Sequence, residues 1–150
     1  MTEVELTVRV GVDAPPETVF AAATDWERQG EWILGTTVRI RRGDGRSVGS
    51  EVEAVTGVRG IGVTDSMRIT VWDAPLRCEV QHTGRVVRGT GLFVVVPRGR
   101  HAATFEWAER LELPLGMLGR LGWRVVQPTF AWGLQRSLDR FADFCRVDPR

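Results

Sequence analysis

The stretch from Leu115 to Val147 constrains the fold of this chain more than any other. It is the one long segment whose apolar residues recur at helical spacing, whereas everything between Gly35 and Leu113 reads as strands. One long helix set against many strands predicts a curved sheet wrapped around a helix, an arrangement that encloses a pocket. The helix carries two apolar faces that are out of phase. Leu118, Leu121 and Val125 share one; Phe130, Leu134, Leu138, Phe141 and Cys145 share the other, with Arg136, Asp139, Arg140 and Asp143 as its solvated side. Pro128 lies between the halves and lacks a backbone donor, so a kink or break is expected near Gln127–Pro128. Gly116, Gly119 and Gly122 weaken the first half further. Trp132 falls toward the polar side, where it would pack on a loop or a partner.

The rest of the chain supplies the sheet. Thr2–Val12 alternates strictly, with Val4, Leu6, Val8 and Val10 against Glu3, Glu5, Thr7 and Arg9, the pattern of a half-buried strand. Asp13-Ala14-Pro15-Pro16-Glu17 opens a helix: Asp13 or a neighbour caps it and the prolines occupy its first turn. Thr24 to Trp32 is a second short helical piece with Asp25 as its cap. Strands follow at Thr36–Arg42, Val48–Thr56, Ile61–Trp72, Arg77–Thr83, Val86–Val96 and Ala102–Leu113. They are separated by turn signals at Gly43-Asp44-Gly45-Arg46, Gly57 to Gly60, Asp73-Ala74-Pro75, Gly84 and Pro97 to Arg100. This spacing fits an antiparallel meander.

Composition narrows the function. A chain of 150 residues is one domain, 1–150, with room for a real core. A net charge of +1 without a basic run gives no footprint for nucleic acid. Cys78 and Cys145 are far apart, with no metal-ligand spacing, and read as reduced core residues of a cytoplasmic protein. The start MTEVELTVRV is not a signal peptide, and no apolar run approaches the ~20 residues of a membrane span. Lysine, tyrosine and asparagine are absent, which excludes lysine Schiff-base chemistry and tyrosine general acids. Two histidines nearly twenty residues apart form no metal set, and no P-loop, GxSxG or dinucleotide motif implies a cofactor. Arg88-Gly89-Thr90-Gly91 sits inside a strand pattern and is no phosphate cradle.

Four stretches carry a family resemblance. They are Val12-Asp13-Ala14-Pro15-Pro16-Glu17-Thr18-Val19-Phe20, the helical piece from Asp25-Trp26-Glu27 to Glu31-Trp32, the run from Thr64-Asp65-Ser66-Met67 through Val71-Trp72-Asp73-Ala74-Pro75, and Arg136-Ser137-Leu138. In this order and spacing the chain resembles the START/Bet v 1-like (SRPBCC) superfamily, in its polyketide cyclase/dehydrase and lipid-transport-like branch. The resemblance covers nearly the whole chain. It implies an α+β helix-grip fold: a curved antiparallel sheet of seven strands around a long C-terminal helix, with two short helices after strand 1. Members bind sterols, lipids, polyketides or hormones, and only some are enzymes, so the fold does not decide the chemistry.

If the sheet is concave around the helix, alternate residues point inward. The more apolar alternation assigns Val63, Asp65, Met67, Ile69 and Val71 to that face, then Cys78, Val80 and His82. It goes on to Val87, Gly89, Gly91, Phe93 and Val95, and last Ala103, Phe105, Trp107, Glu109 and Leu111. The glycines would let the sheet curve. Three polar residues interrupt these faces: Asp65, His82 and Glu109. A carboxylate facing inward needs a partner, because burying an unpaired charge costs several kcal/mol. A histidine beside it would serve as general acid or base for an aldol-type cyclisation or dehydration. Plainer roles stand beside this one. Asp65 would bond local backbone, Glu109 would pair with an arginine at the rim, and His82, next to a hairpin turn, would be exposed. His101 is expected to be solvated. Trp32, Met67, Phe93, Trp107, Val126 and Phe130 are the candidate ligand contacts, and the aromatics among them serve equally as core. Trp26 and Trp32 are expected near the pocket mouth.

Three functions follow. The first is a module that holds a hydrophobic or amphipathic small molecule, lipid- or polyketide-like, in an interior cavity. The second is a cyclase, aromatase or dehydratase using Asp65, His82 and Glu109. The third is an interaction module presenting Trp132, with a homodimer as one form. None involves nucleic acid or stable membrane insertion.

Overall fold

Alternation along the strands resolves into one antiparallel sheet of seven strands, curved over the C-terminal helix. The computed structural model describes residues 2–58, 61–85, 87–113 and 117–147. Its elements are β1 (Thr2–Val12), α1 (Pro16–Ala23), a 3-10 helix (Trp26–Glu31), β2 (Thr36–Arg42), β3 (Glu51–Val58), β4 (Ile61–Asp73), β5 (Arg77–Thr83), β6 (Arg88–Pro97), β7 (Ala103–Leu113) and α2 (Met117–Val147). The sheet order is β1-β7-β6-β5-β4-β3-β2. Strands β2 to β7 thus form a meander, and β1 closes onto the last of them.

Charged residues on the outer face pair across strands, as Arg39 with Glu53 and Arg9 with Glu106. Such exposed pairs contribute little stability, typically under about 1 kcal/mol. The inner face carries the core: Val8, Val52, Ile69, Val95 and Phe105 from the sheet meet Leu138 and Phe141 from α2 and Val19 from α1.

Several expectations are corrected. Pro128 does not break α2, which runs unbroken from Met117 to Val147. The second helical piece is a 3-10 helix, shorter than Thr24–Trp32. Asp13 does not cap α1; Pro15 occupies the N-cap position and its carbonyl accepts the Val19 N–H. The third strand starts at Glu51 rather than Val48, because residues 43–50 are held as a loop. There Asp44 Oδ1 accepts hydrogen bonds from the Arg46 N–H and the Ser47 hydroxyl, both 2.8 Å. The backbone bond above all holds the Asp44 carboxyl below its ordinary range. Val71 does not face inward. The pairing of β4 with β5 shifts between Ile69 and Val71, so that Ile69 lies opposite Val80 but Trp72 lies opposite Cys78. The extra residue reverses the alternation beyond it. Trp72 takes the inner position, edge-on to Phe20 with ring centroids 5.1 Å apart. The Asp73-Ala74-Pro75 break holds a cis Ala74–Pro75 peptide. Part of the Gly57–Gly60 turn, Val86 and the first residues of the Leu115–Val147 stretch lie outside the described residues, as does the side chain of Leu118.

Candidate functional site

Between the inner face of the sheet and the middle of α2 lies a cavity of about 450 Å³. Its walls are mostly apolar, with Met67, Val80, Phe93, Trp107, Phe130 and Leu134 among them. From the helix, Thr129, Phe130, Gly133, Leu134 and Ser137 face it, one stripe at helical spacing.

Asp65, His82 and Glu109 all face this cavity, and both carboxylates bond to His82. Register explains how. His82 on β5 stands opposite Met67 on β4, and Asp65 lies two residues before Met67 on the same face, its diagonal neighbour. On the other side His82 is opposite Gly89 of β6, and Gly91 of β6 is opposite Glu109 of β7. His82 and Glu109 are therefore separated by a whole strand, roughly 10 Å between backbones. They meet because β6 presents no side chain there. A Cβ on Gly91 would lie 3.2 Å from Glu109 Oε1 and 3.2 Å from Val80 Cγ2. Gly89 has φ +121°, and a Cβ on it would lie 2.0 Å from the Arg110 carbonyl oxygen. The missing side chain at Gly91 opens a window through which the imidazole reaches the far carboxylate.

His82 Nδ1 lies 2.8 Å from Asp65 Oδ1, and Nε2 lies 2.8 Å from Glu109 Oε2. Trp107 Nε1–H donates to the remaining Glu109 oxygen at 3.0 Å. A ring with a carboxylate at each nitrogen is satisfied when both nitrogens donate, which is the imidazolium. Burial opposes that charge, since His82 is only 6% exposed. The hydrogen bonds that Asp65 and Glu109 accept from the ring, with their two negative charges, outweigh it and push the imidazole up to about 10. At neutral pH His82 is a cation clamped between anions, which makes it a poor general base. The group with an unused acceptor is Asp65: it lines the cavity, its side chain is a fifth exposed, and only its Oδ1 bonds to the ring among the described residues.

The other expected contacts divide. Met67, Phe93, Trp107 and Phe130 line the cavity. Trp32 does not. It is fully buried in the aromatic cluster beside it, 4.7 Å from the Phe141 ring and 5.9 Å from that of Trp107, because the chain after the 3-10 helix turns into the core rather than toward the mouth. Its Nε1–H has no hydrogen-bond partner among the described residues. Val126 is corrected as well: it is 54% exposed and does not line the cavity. It shares a row with Phe130 one turn away, but there the helix has left the packed interior. Trp26, expected near the mouth, lines the cavity and donates its Nε1–H to the Gly45 carbonyl at 2.7 Å. His101 and Trp132 are exposed. Cys78 lines the cavity as a buried free thiol, which burial pushes up to about 12, so it is no nucleophile at neutral pH. Gln29, Gly133 and Ser137 line the cavity beyond the expected contacts; the helical stripe through Phe130 and Leu134 carries the signal for the last two. Among the described residues no group of three or more His, Cys, Asp or Glu side chains is arranged to hold a metal, and no helix is long and apolar enough to cross a membrane.

A seven-stranded sheet gripping a long C-terminal helix, with two short helical turns after its first strand, is the helix-grip fold of START/Bet v 1-like proteins. Within that class, the family described as "Polyketide cyclase / dehydrase and lipid transport" matches residues 1–145, and the chain belongs to it. No curated protein matches the sequence. The fold is similar to that of the Zhui aromatase/cyclase from Streptomyces sp. R1128, with a TM-score of 0.79 and 13% identity over 98% of this chain and 97% of that one. It is similar to norcoclaurine synthase from Thalictrum flavum, with a TM-score of 0.71 and 14% identity over 97% and 88%. A START superfamily protein from Mycobacterium smegmatis gives a TM-score of 0.64 and 17% identity over 87% and 94%. At these identities the likeness concerns the fold.

Proposed function

We propose that this protein binds a hydrophobic or amphipathic small molecule in the cavity between sheet and helix. The observation that carries the reading is the cavity itself. About 450 Å³ of apolar-walled space with one polar cluster is the build of a small-molecule site. Packed interiors otherwise leave few voids larger than water. The test uses Nile red, a neutral apolar dye, and a variant that fills the space. Gly133 faces the cavity, and a Cβ there meets nothing within 4 Å, so Gly133→Leu adds bulk without a clash near the backbone. The wild type should bind the dye with saturable fluorescence. Gly133→Leu should keep its circular dichroism and melting temperature and bind at least about tenfold more weakly. Equal binding by both proteins would refute the reading.

The line Asp65–His82–Glu109 favours a second reading, an acid–base enzyme of the cyclase, aromatase or dehydratase kind. Asp65 would take a proton from a carbon between two carbonyls, leaving an enolate, and His82 would hold the Asp65 carboxylate in place. Deuterium uptake by 1-phenylbutane-1,3-dione in D2O, followed by NMR, reads this step without knowledge of the natural substrate. The wild type should accelerate the exchange, and Asp65→Asn should lose about a hundredfold of that acceleration. Exchange at the buffer rate in the wild type would remove the enzyme reading and leave the binding one.

A further inference from the structure

We infer that the cavity selects ligands whose polar end is uncharged or cationic and donates a hydrogen bond, and that it rejects carboxylates of equal length. The inference rests on the binding reading and sharpens it to a ligand class. Its ground is a census of the charges that face the cavity. β3 contributes Ala54 and Thr56, β4 contributes Asp65, β5 contributes His82, and β7 contributes Glu109. β6 and the α2 stripe from Thr129 to Ser137 contribute no charge, and no arginine lines the cavity among the described residues. Two carboxylates and one imidazolium leave one net negative charge inside an apolar wall.

The donors of the charged cluster itself are spent. Both His82 N–H groups and the Trp107 Nε1–H are spent on carboxylate oxygens. The Gln29 side-chain amide donates to the Ala23 carbonyl at 2.8 Å, and the Thr36 and Thr56 hydroxyls bond each other at 2.8 Å. Ser137 Oγ accepts the Leu34 N–H at 3.1 Å, and its own hydroxyl hydrogen is left as a neutral donor on the helix side of the cavity. An incoming carboxylate would find the one cation already held between two carboxylates, and a buried anion without a free counter-charge is strongly disfavoured. The unengaged acceptor is the second oxygen of Asp65. A hydroxyl or an ammonium satisfies it; a carboxylate repels it. By this chemistry the ligand is a neutral alcohol, phenol or polyol, or an amine, on an apolar body, rather than a free fatty acid.

The test displaces Nile red with decan-1-ol, decylamine and decanoate, all below their micellar concentrations, at about pH 7.5. The alcohol and the amine should displace the dye, and decanoate should be weaker than the alcohol by about tenfold or more. Asp65→Asn removes the net charge without changing shape and should shrink the alcohol-to-decanoate ratio to below about threefold. Glu109→Gln is the second variant should Asp65→Asn not fold, since it cancels the same charge while keeping an acceptor for Trp107. Decanoate binding as tightly as decan-1-ol to the wild type would overturn the inference and leave the cavity reading intact. So would an unchanged ratio in the variants. Failure of every decyl compound, together with dye binding unaffected by Gly133→Leu, would sink both.

Discussion

Along α2 one helix meets two different interiors. From Leu138 to Cys145 its inner face is buried against aromatic rings: Phe141 lies 4.6 Å from Phe105 and 4.7 Å from Trp32, and Leu138 is fully buried. From Thr129 to Ser137 the same face lines an open space, and earlier still Leu121, Val125 and Val126 are more than half exposed. The helix is thus anchored by its last three turns and serves as a wall with its middle. Stability belongs to the filled end and ligand chemistry to the hollow one, and substitutions should separate the two.

The largest effect should come from the filled end. Phe141→Ala removes a fully buried ring that touches three other aromatics, and should cost about 3–5 kcal/mol in a urea titration. It should leave the His82 titration in place, because among the described residues the ring bonds to Asp65 of β4 and Glu109 of β7 and to nothing on α2. Loss of the His82 signature along with stability would mean that the two ends are one unit.

Next in size is the dependence of stability on pH. The His82 imidazole rises from 6.5 to about 10 on folding. A group raised in the folded state contributes its full stabilisation below its unfolded value and loses it as pH climbs through the folded one. Stability should therefore fall between about pH 6.5 and about pH 10, by up to a few kcal/mol. His82→Gln should start lower and stay flatter across that window. NMR of the two histidine rings checks the cause directly, with exposed His101 as the second signal. A His82 ring titrating near 6.5 would mean that it is not clamped as described.

A smaller effect is expected at the window in β6. Gly91→Ala places a methyl 3.2 Å from Glu109 Oε1, so the carboxylate must give by a few tenths of an ångström. The His82–Glu109 bond should weaken and the His82 titration should move down from about 10, with little change in the fold. An unmoved titration would show that Glu109 has slack to spare.

These residues also mark how far the sequence could be read. Asp65, His82 and Glu109 were legible because strand period fixes the face, and three polar side chains on otherwise apolar faces stand out. Their contact through His82 was not legible, since it depends on Gly91 as a gap between strands rather than as a point of curvature. Trp32 was misplaced because no periodicity tells depth in a short connecting segment. Val71 was misplaced because a bulge leaves no mark in an apolar alternation; only pairing with Cys78 and Glu79 reveals it. Of the kink or break expected near Gln127–Pro128, the break does not occur: the helix continues through Pro128, and the buried face from Leu134 onward holds its second half.

The hollow end supplies the smallest expected effect. Val126 lies on the row of Phe130, one turn toward the helix start, and it is 54% exposed where Phe130 is partly buried and lines the cavity. If the exposed turns only continue a wall, Val126→Ser should change stability by no more than about 0.5 kcal/mol and leave Nile red affinity as it is. Phe130→Ala should instead alter dye binding, because it enlarges the space the dye occupies. A loss of affinity in Val126→Ser equal to that in Phe130→Ala would extend the binding surface past the cavity rim. The exposed stretch through Leu121 and Val125 would then belong to the site rather than to its edge.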